Sequence, residues 1–320
     1  MKVLQWIKAN LIWSIAISIT LGVLVGSQFD VSWMRHLIMP LTFVLVYPMM
    51  VTLRLETLLQ KSNVKLQLMT QVVNFLVFPL IAYGIGLLFF SEEPYFRLGL
   101  LLIALLPTSG MTISWTVMAK GNVSEAIRMV VIGLLLGALV SPLYIKLLMG
   151  EAITVPVWNI MSQILLVVFV PLVLAFVTQR ILIKTVGKER FHTTIKPVFP
   201  LFSTLGVVLI IFVAIALKAG VIVNNPSMIL IIFPPLILMY AAFILVSVLT
   251  SRLFPREDAI ALVNGTLIRS LSIALAITLS AFEGAGIAAL LIAVAYALQV
   301  QIAAWNVKLS HLIFPKEQIE

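Results

Sequence analysis

Two long apolar stretches of the sequence are each interrupted by a short group of polar or backbone-breaking residues. The first group is Pro107, Thr108, Ser109 and Gly110, followed by Thr112. The second group is Asn264, Gly265 and Thr266, followed by Arg269 and Ser270. Hydroxyl, amide and guanidinium groups in such surroundings can bind an anion or a strongly hydrogen-bonding solute. No nucleophile–base pair, metal cluster or phosphate loop accompanies them, so the pattern predicts binding and not enzymatic catalysis.

Arg269 is the charged residue that lies deepest inside an apolar stretch. The nearest acidic residues in the sequence are Asp258 and Glu283, roughly 16–21 Å away along a helix at 1.5 Å per residue. Placing an arginine inside a membrane without a counter-ion costs free energy, so its presence indicates a structural or functional role. We expect Arg269 either to attract an anionic substrate or to bond backbone carbonyls that the two interruptions set free.

The composition excludes an ordinary soluble protein. Of the 320 residues, 62% are hydrophobic and 10% are charged, and the mean hydropathy is +1.17. A soluble domain carries about 25% charged residues. The lipid bilayer is therefore the expected partner. Cysteine is absent and the three histidines are far apart in the sequence, so we expect no metal site and no cofactor.

The apolar stretches predict an all-α integral membrane protein with ten transmembrane helices in a single domain, 1–320. Their approximate limits are 10–28, 34–53, 67–90, 97–118, 123–148, 156–181, 197–221, 227–250, 258–281 and 285–312. The interruptions at Pro107 and Gly265 fall in the fourth and the ninth. Ten helices divide into two five-helix repeats of opposite orientation, about 1–150 and 151–320, as in many secondary transporters.

The basic residues predict the orientation of the chain. Sixteen of the 21 lysines and arginines lie on the side of the N-terminus. Four lie on the opposite side: Arg35, Arg97, Lys146 and Lys218. Since lysine and arginine are concentrated in cytoplasmic loops, both termini are predicted to be cytoplasmic, in a multi-pass protein of the cell (inner) membrane. This distribution also explains the net charge of +9 without a nucleic-acid partner.

Glu125 and Arg128 form a second charged group, near the start of the fifth predicted helix. Residues three apart lie on the same face of a helix and can form an ion pair. A structural pair at the membrane interface is one interpretation, and a part in ion coupling is the other.

Several short motifs carry a resemblance to a known family. They are Tyr47-Pro48-Met49-Met50, Asn74-Phe75 with Pro79, Pro107-x3-Met111-x3-Trp115-Thr116-x2-Ala119-Lys120-Gly121, Val170-Pro171-Leu172 and Ser203-x-Leu205-Gly206. Together they resemble the arsenite-efflux permeases of the arsenical-resistance type, within the bile acid:sodium symporter superfamily. The resemblance implies ten helices in two inverted repeats, with the fourth and ninth helices broken and crossing.

The chain departs from this family at functional positions. Thr108 stands where the arsenite permeases carry a cysteine, and Arg269 and Ser270 stand within the position of a polar cluster that ends in glutamate. Val263 and Ile113 stand where the bile-acid branch has sodium ligands, and aliphatic side chains offer no oxygen to a sodium ion. The usual sodium ligands are therefore absent, and the coupling ion is unknown.

The sequence thus predicts a secondary transporter that moves a small or organic anion by alternating access, with Arg269 near the substrate. The expected substrate-binding residues are Arg269, Ser270, Thr266, Asn264, Thr108, Ser109 and Thr112. One alternative is an arsenite or metalloid efflux permease that works without the usual cysteine. Another is a membrane ligand sensor that transports nothing.

Overall fold

The structure, a computed structural model, describes residues 2–53, 62–150, 157–224, 227–282 and 285–314. These residues are almost entirely helical, and no strand is present within them apart from one isolated backbone bridge. The prediction of an all-α protein is confirmed.

Seventeen α-helices follow one another along the described chain. The first eight are α1 (Lys2–Ala9), α2 (Leu11–Gln28), α3 (Ile38–Val51), α4 (Val64–Val72), α5 (Phe78–Phe89), α6 (Pro94–Leu105), α7 (Gly110–Met118) and α8 (Val123–Met149). The others are α9 (Val157–Ile164), α10 (Val170–Val186), α11 (Lys188–Arg190), α12 (Phe199–Ala216), α13 (Ala219–Asn224), α14 (Ser227–Ser251), α15 (Arg256–Leu267), α16 (Leu271–Ala281) and α17 (Gly286–Ile313). Some of these join end to end through 3₁₀ or π turns.

Eight continuous helical segments in the described chain are long and apolar enough to cross a membrane. They are Leu11–Gln28, Ser32–Val51, Val64–Phe89, Val123–Met149, Met161–Val186, Lys188–Ala216, Leu230–Ser251 and Gly286–Ser310. The protein is therefore a multi-pass membrane protein, as predicted. The sixth expected helix, 156–181, extends further than its hydrophobicity indicated, because α10 continues to Val186.

The fourth and ninth predicted helices are each divided into two in the structure. Residues 97–118 contain α6 and α7, which are separated by Leu106–Ser109. Residues 258–281 contain α15 and α16, which are separated by Ile268–Ser270. The first division contains Pro107, as predicted. The second does not lie at Gly265, which is inside α15, but three residues later, where the backbone of Ile268–Ser270 leaves the helix.

The helices form two compact units. Unit 1 contains Met1–Leu53, Thr154–Ile232 and Leu271–Ala297. Within it, α12 packs against α2 and α3. The close approach of α2 and α12 requires a glycine at position 26, because a Cβ there would lie 2.0 Å from the Ala216 carbonyl oxygen. The Ser203 hydroxyl donates to the Leu45 carbonyl at 2.6 Å and ties α12 to α3.

Unit 2 contains Arg54–Ile153, Phe233–Ser270 and Leu298–Glu320. Its described helices are α4 to α8, α15, most of α14 and the end of α17. An apolar cluster of α4, α8 and α15 residues holds three of these helices together: Leu66, Ala126, Met129, Ala261 and Leu262. Each unit draws on both halves of the chain, and both interruptions, up to Ser270, lie in unit 2.

Three five-residue π-helical turns occur in the described chain, each two residues before a proline. They are Val73–Val77, Leu165–Phe169 and Phe191–Ile195, and Pro79, Pro171 and Pro197 follow them. Proline lacks a backbone N–H and clashes with the carbonyl four residues earlier, so a wider turn accommodates it. At Pro79 the carbonyl concerned is that of Phe75, which accepts a hydrogen bond from the Tyr144 hydroxyl.

Candidate functional site

The two interruptions of unit 2 pair with each other through their backbones. Pro107 and Arg269 form an isolated antiparallel bridge. The Thr108 N–H donates to the Ile268 carbonyl at 2.9 Å, and the Ser270 N–H donates to the Leu106 carbonyl at 2.8 Å. Backbone groups that leave a helix inside a membrane must find partners within the protein. Here each interruption supplies them to the other.

The guanidinium group of Arg269 lies between the ends of two half-helices and is fully buried, at 0% exposure. Its Nε donates to the Ile103 carbonyl at 3.1 Å, and its Nη1 donates to the Thr266 carbonyl at 2.9 Å. Its Nη2 donates to the Ala104 carbonyl. These acceptors lie in the last turns of α6 and α15, where carbonyls lack a partner in their own helix. Arg269 thus bonds carbonyls freed at the interruptions, which is one of its two expected roles.

Asn74 bonds both Arg269 and the end of α15. Its Oδ1 accepts from Arg269 Nη1 at 2.6 Å, and its Nδ2 donates to the Gly265 carbonyl at 3.0 Å. The residue lies in the π turn Val73–Val77 and is 0% exposed. A guanidinium group has five N–H groups, one on Nε and two on each Nη. Four of the five donate to protein oxygens here.

Aromatic rings and an amide complete the surroundings of Arg269. The guanidinium carbon lies 5.5 Å from the ring centre of Phe78 and 5.8 Å from that of Phe243, within the range of cation–π attraction. Gln299 of α17 accepts from the Arg269 backbone N–H at 2.8 Å and donates to its carbonyl at 3.0 Å. The Tyr240 hydroxyl donates to the same Gln299 oxygen at 3.2 Å.

Thr108 has an unusual backbone conformation at the first interruption. Its φ is +59°, a left-handed value that is rare for a β-branched residue. Its hydroxyl donates to the Pro107 carbonyl at 2.7 Å and lies 3.4 Å from the Val130 carbonyl of α8. A Cβ at Gly133 of α8 would lie 2.9 Å from that hydroxyl oxygen. Such strain persists where the surrounding structure enforces it, and it is commonest at functional sites.

The other expected binding residues are buried, and several use their side chains within the protein. Ser109 and Thr112 form a capping box at the start of α7. The Thr266 hydroxyl bonds Ser247 of α14 at 2.7 Å, and the Asn264 Oδ1 accepts from Asn306 of α17 at 3.0 Å. Among these expected binding residues, the Asn264 Nδ2 and the Ser270 hydroxyl have no hydrogen-bond partner within the described part of the chain.

Glu125 and Arg128 pair with each other at the end of unit 2 where α4, α8 and α15 begin. The Glu125 carboxylate also accepts from Ser62 at 3.0 Å and from Gln67 at 2.5 Å. Nearby, the Asn63 and Asn122 amides donate to Asp258 at 2.9 and 2.8 Å. These contacts describe a structural network, and the coupling role considered for the pair stays a prediction.

Three residues of the site were not expected as site residues. Asn74 appeared only as part of a motif, and Gln299 and Tyr240 were not singled out among the candidate residues. An amide in the middle of an apolar helix is the feature that Asn74 and Gln299 share, and such residues tend to bond across helices.

The described residues contain no group of three or more histidine or acidic side chains that could hold a metal ion. The oxygens most suited to a hard cation are the three carbonyls and the amide oxygen around Arg269. All four already accept hydrogen bonds from its guanidinium group.

Comparison with known proteins identifies the family. Residues 39–225, more than half of the chain, match the model of the Sodium Bile acid symporter family. The chain belongs to this family. Its members are transporters and not enzymes, and membership confirms the resemblance that the sequence motifs carried.

The chain shares limited identity with individual relatives. The chain is 23% identical to the Arsenical-resistance protein Acr3 of Alkaliphilus metalliredigens over 72% of its length and 69% of that protein. It is 24% identical to the Acr3 protein of Corynebacterium glutamicum over 66% of its length and 60% of that protein. A protein of Bacillus subtilis, YbaS, is 33% identical over 29% of this chain, which is 30% of the length of YbaS.

Proposed function

We propose that the chain is a secondary active transporter that moves a small or organic anion across the cell membrane by alternating access. The observation that carries the proposal is the backbone pairing of two interrupted helices at Pro107 and Arg269. In transporters built from inverted repeats, discontinuous helices of this kind form the substrate site. Membership of a symporter family supports the same reading.

The proposed topology has ten membrane helices in two inverted repeats, about 1–150 and 151–320, with both termini in the cytoplasm. It is supported by the eight long apolar segments together with the two interrupted helices, α6–α7 and α15–α16. The interrupted helices are then the fourth of each repeat. The excess of lysine and arginine on the side of the termini supports the orientation.

The proposed substrate site lies at the two interruptions, Leu106–Ser109 with Pro107 and the following Gly110, and Ile268–Ser270 after Gly265. The Ser270 hydroxyl and the Asn264 amide have hydrogen-bonding capacity to spare within the described structure. The guanidinium of Arg269 is largely used by protein oxygens. We therefore propose that the hydroxyl and amide groups donate hydrogen bonds to the anion, and that Arg269 holds the two interruptions together beside it.

A metalloid is the second candidate substrate, because two relatives are named arsenical-resistance proteins. Trivalent arsenic favours thiolates, and the chain has no cysteine. Arsenite would have to bind as a neutral hydroxylated species, through hydrogen bonds to the polar groups at the interruptions.

Accumulation assays in everted membrane vesicles separate these functions. Radiolabelled arsenite and a panel of organic carboxylates and sulfonates are supplied with and without an imposed proton gradient. Vesicles without the protein give the background. Uptake of a carboxylate or sulfonate above the background supports the anion transporter, and uptake of arsenite alone supports the metalloid permease. If a ligand binds the purified protein but no vesicle accumulates it, the transporter proposal is wrong and a sensor is indicated.

The site itself is tested by Ser270→Ala with Ser280→Ala as the matched control. The Ser280 hydroxyl only bonds the Ala276 carbonyl of its own helix, at 2.7 Å. Since a bond to a charged partner contributes about 1.5–3 kcal/mol, Ser270→Ala should weaken substrate binding by roughly 10-fold or more. Equal uptake constants for both variants would remove Ser270 from the site.

A further inference from the structure

Two half-helices of unit 2 end against the same guanidinium group. α6 ends at Leu105 and α15 ends at Leu267. The C-terminus of a helix carries about half a negative charge, so two of them present about one unit of negative charge together. Arg269 supplies one positive charge at that place and forms no ion pair with a carboxylate in the described structure. The helix ends therefore act as its counter-ion.

The oxygens around this guanidinium are of the kind that binds a metal cation. They are the carbonyls of Ile103, Ala104 and Thr266 and the amide oxygen of Asn74. In transporters with interrupted helices, unwound carbonyls and the C-terminal ends of half-helices coordinate sodium. Carbonyl and amide oxygens also suit hard cations in general.

We propose that this oxygen cluster is a cation site and that Arg269 is its permanent, covalently tethered occupant. The family takes its name from sodium, but sodium does not fit here, because the four oxygens already bind the guanidinium and its charge repels a second cation. The inference rests on the proposed function in one respect. The transport cycle would need no sodium at this position, and its driving force would come from elsewhere.

The test removes the tethered cation and offers free ones. Wild type and Arg269→Ala are purified in detergent, and their melting temperatures are measured in sodium chloride, guanidinium chloride at low concentration, and choline chloride at matched ionic strength. We expect the wild type to melt at the same temperature in sodium and choline. In choline chloride, we expect Arg269→Ala to melt at a lower temperature than the wild type does. Sodium or guanidinium at about ten times its dissociation constant should raise that melting temperature by on the order of 3 °C.

Two outcomes overturn the proposal. One is a variant whose melting temperature responds to no small cation. The other is a wild type that gains as much from sodium as the variant does, because the cation would then bind elsewhere.

If Arg269→Ala does not fold, Arg269→Lys and Arg269→Met decide the question. Lysine keeps the charge, and methionine has an unbranched side chain without charge. The proposal requires the lysine variant to be recovered folded and the methionine variant to be lost or much less stable. Equal stability of the two contradicts it. None of these measurements uses a substrate, so a failure to detect transport and a failure of the tethered cation remain distinguishable.

Discussion

Replacing Asn74 by leucine should destabilise the protein more than the same replacement at another amide of unit 2. Leucine has the same branched arrangement of four heavy side-chain atoms as asparagine but neither donates nor accepts. The change removes the acceptor at 2.6 Å from Arg269 Nη1 and the donor at 3.0 Å from the Gly265 carbonyl. Asn306 is the matched control, because it makes one neutral amide–amide bond to Asn264 at 3.0 Å.

The expected magnitudes differ because only Asn74 serves a charged group. A hydrogen bond to a charged group contributes about 1.5–3 kcal/mol and a neutral one about 0.5–1.5 kcal/mol. Asn74→Leu loses one of each and should lower the free energy of unfolding by about 2–4 kcal/mol. Interhelical bonds measured in membrane proteins average about 0.6 kcal/mol and reach about 1.7 kcal/mol. We expect Asn306→Leu to fall in that lower range.

The assay is equilibrium unfolding of the purified protein in mixed detergent micelles, followed by tryptophan fluorescence. Wild type and both variants are measured under the same conditions, so that the difference between the variants does not depend on extrapolating the free energy of unfolding to zero denaturant. If Asn74→Leu loses no more stability than Asn306→Leu, the amide does not hold the guanidinium. The account of Arg269 as a group bound by protein oxygens would then be wrong.

Three further comparisons use the same unfolding assay. Gln299→Leu should lower the free energy of unfolding by about 2–4 kcal/mol, because it leaves the backbone N–H and carbonyl of the buried Arg269 without partners. Gln301→Leu, at an exposed position of α17, should lower it little, and similar losses for the two variants would contradict the contact between Gln299 and Arg269. Gly26→Ala should cost at least about 2 kcal/mol, since its Cβ would meet a backbone oxygen of α12 at 2.0 Å. Gly84→Ala, with open space around it, should be neutral or stabilising by up to about 1 kcal/mol, and the reverse order would refute the packing. Thr108→Gly should be more stable than Thr108→Val by about 1 kcal/mol, because glycine adopts a φ of +59° without strain; a more stable valine variant would show that the strain is unimportant.

Hydrophobicity and composition were enough to predict a multi-pass helical membrane protein and the fact that two of its apolar stretches are divided. The first division contains Pro107, as predicted. The second was predicted at Gly265, but Gly265 lies inside α15 and the helix ends only before Ile268–Ser270. The end of α10 was misjudged because Gln179 and Arg180 look like the start of a loop, whereas the helix continues to Val186. Helices at a membrane surface need not end where their hydrophobic residues end.

The partners of Arg269 could not be predicted in the same way. Three of its four acceptors are backbone carbonyls, of Ile103, Ala104 and Thr266. A carbonyl is available at every residue, so no residue type reveals which one is free. Only the positions where α6 and α15 end decide this, and those positions depend on the pairing of the two interruptions. Sequence reasoning therefore gave the two possible roles of the arginine but not the choice between them.

The π turns before the three prolines have a consequence for insertions and deletions. Each turn holds one residue more than an α-helical turn, and successive residues of an α-helix are rotated by about 100°. The buried positions show this spacing, since Val73 and Asn74 at the start of the turn Val73–Val77 are followed by Phe78 and Pro79, each five residues later. Deleting one residue from Leu165–Phe169 would therefore leave an α-helical turn of four residues and keep the two flanking helices on their present faces. Deleting one residue inside α10 would instead rotate the rest of that helix by about 100°. These turns are thus the places where a membrane helix of this protein can lose one residue without changing which of its faces is buried.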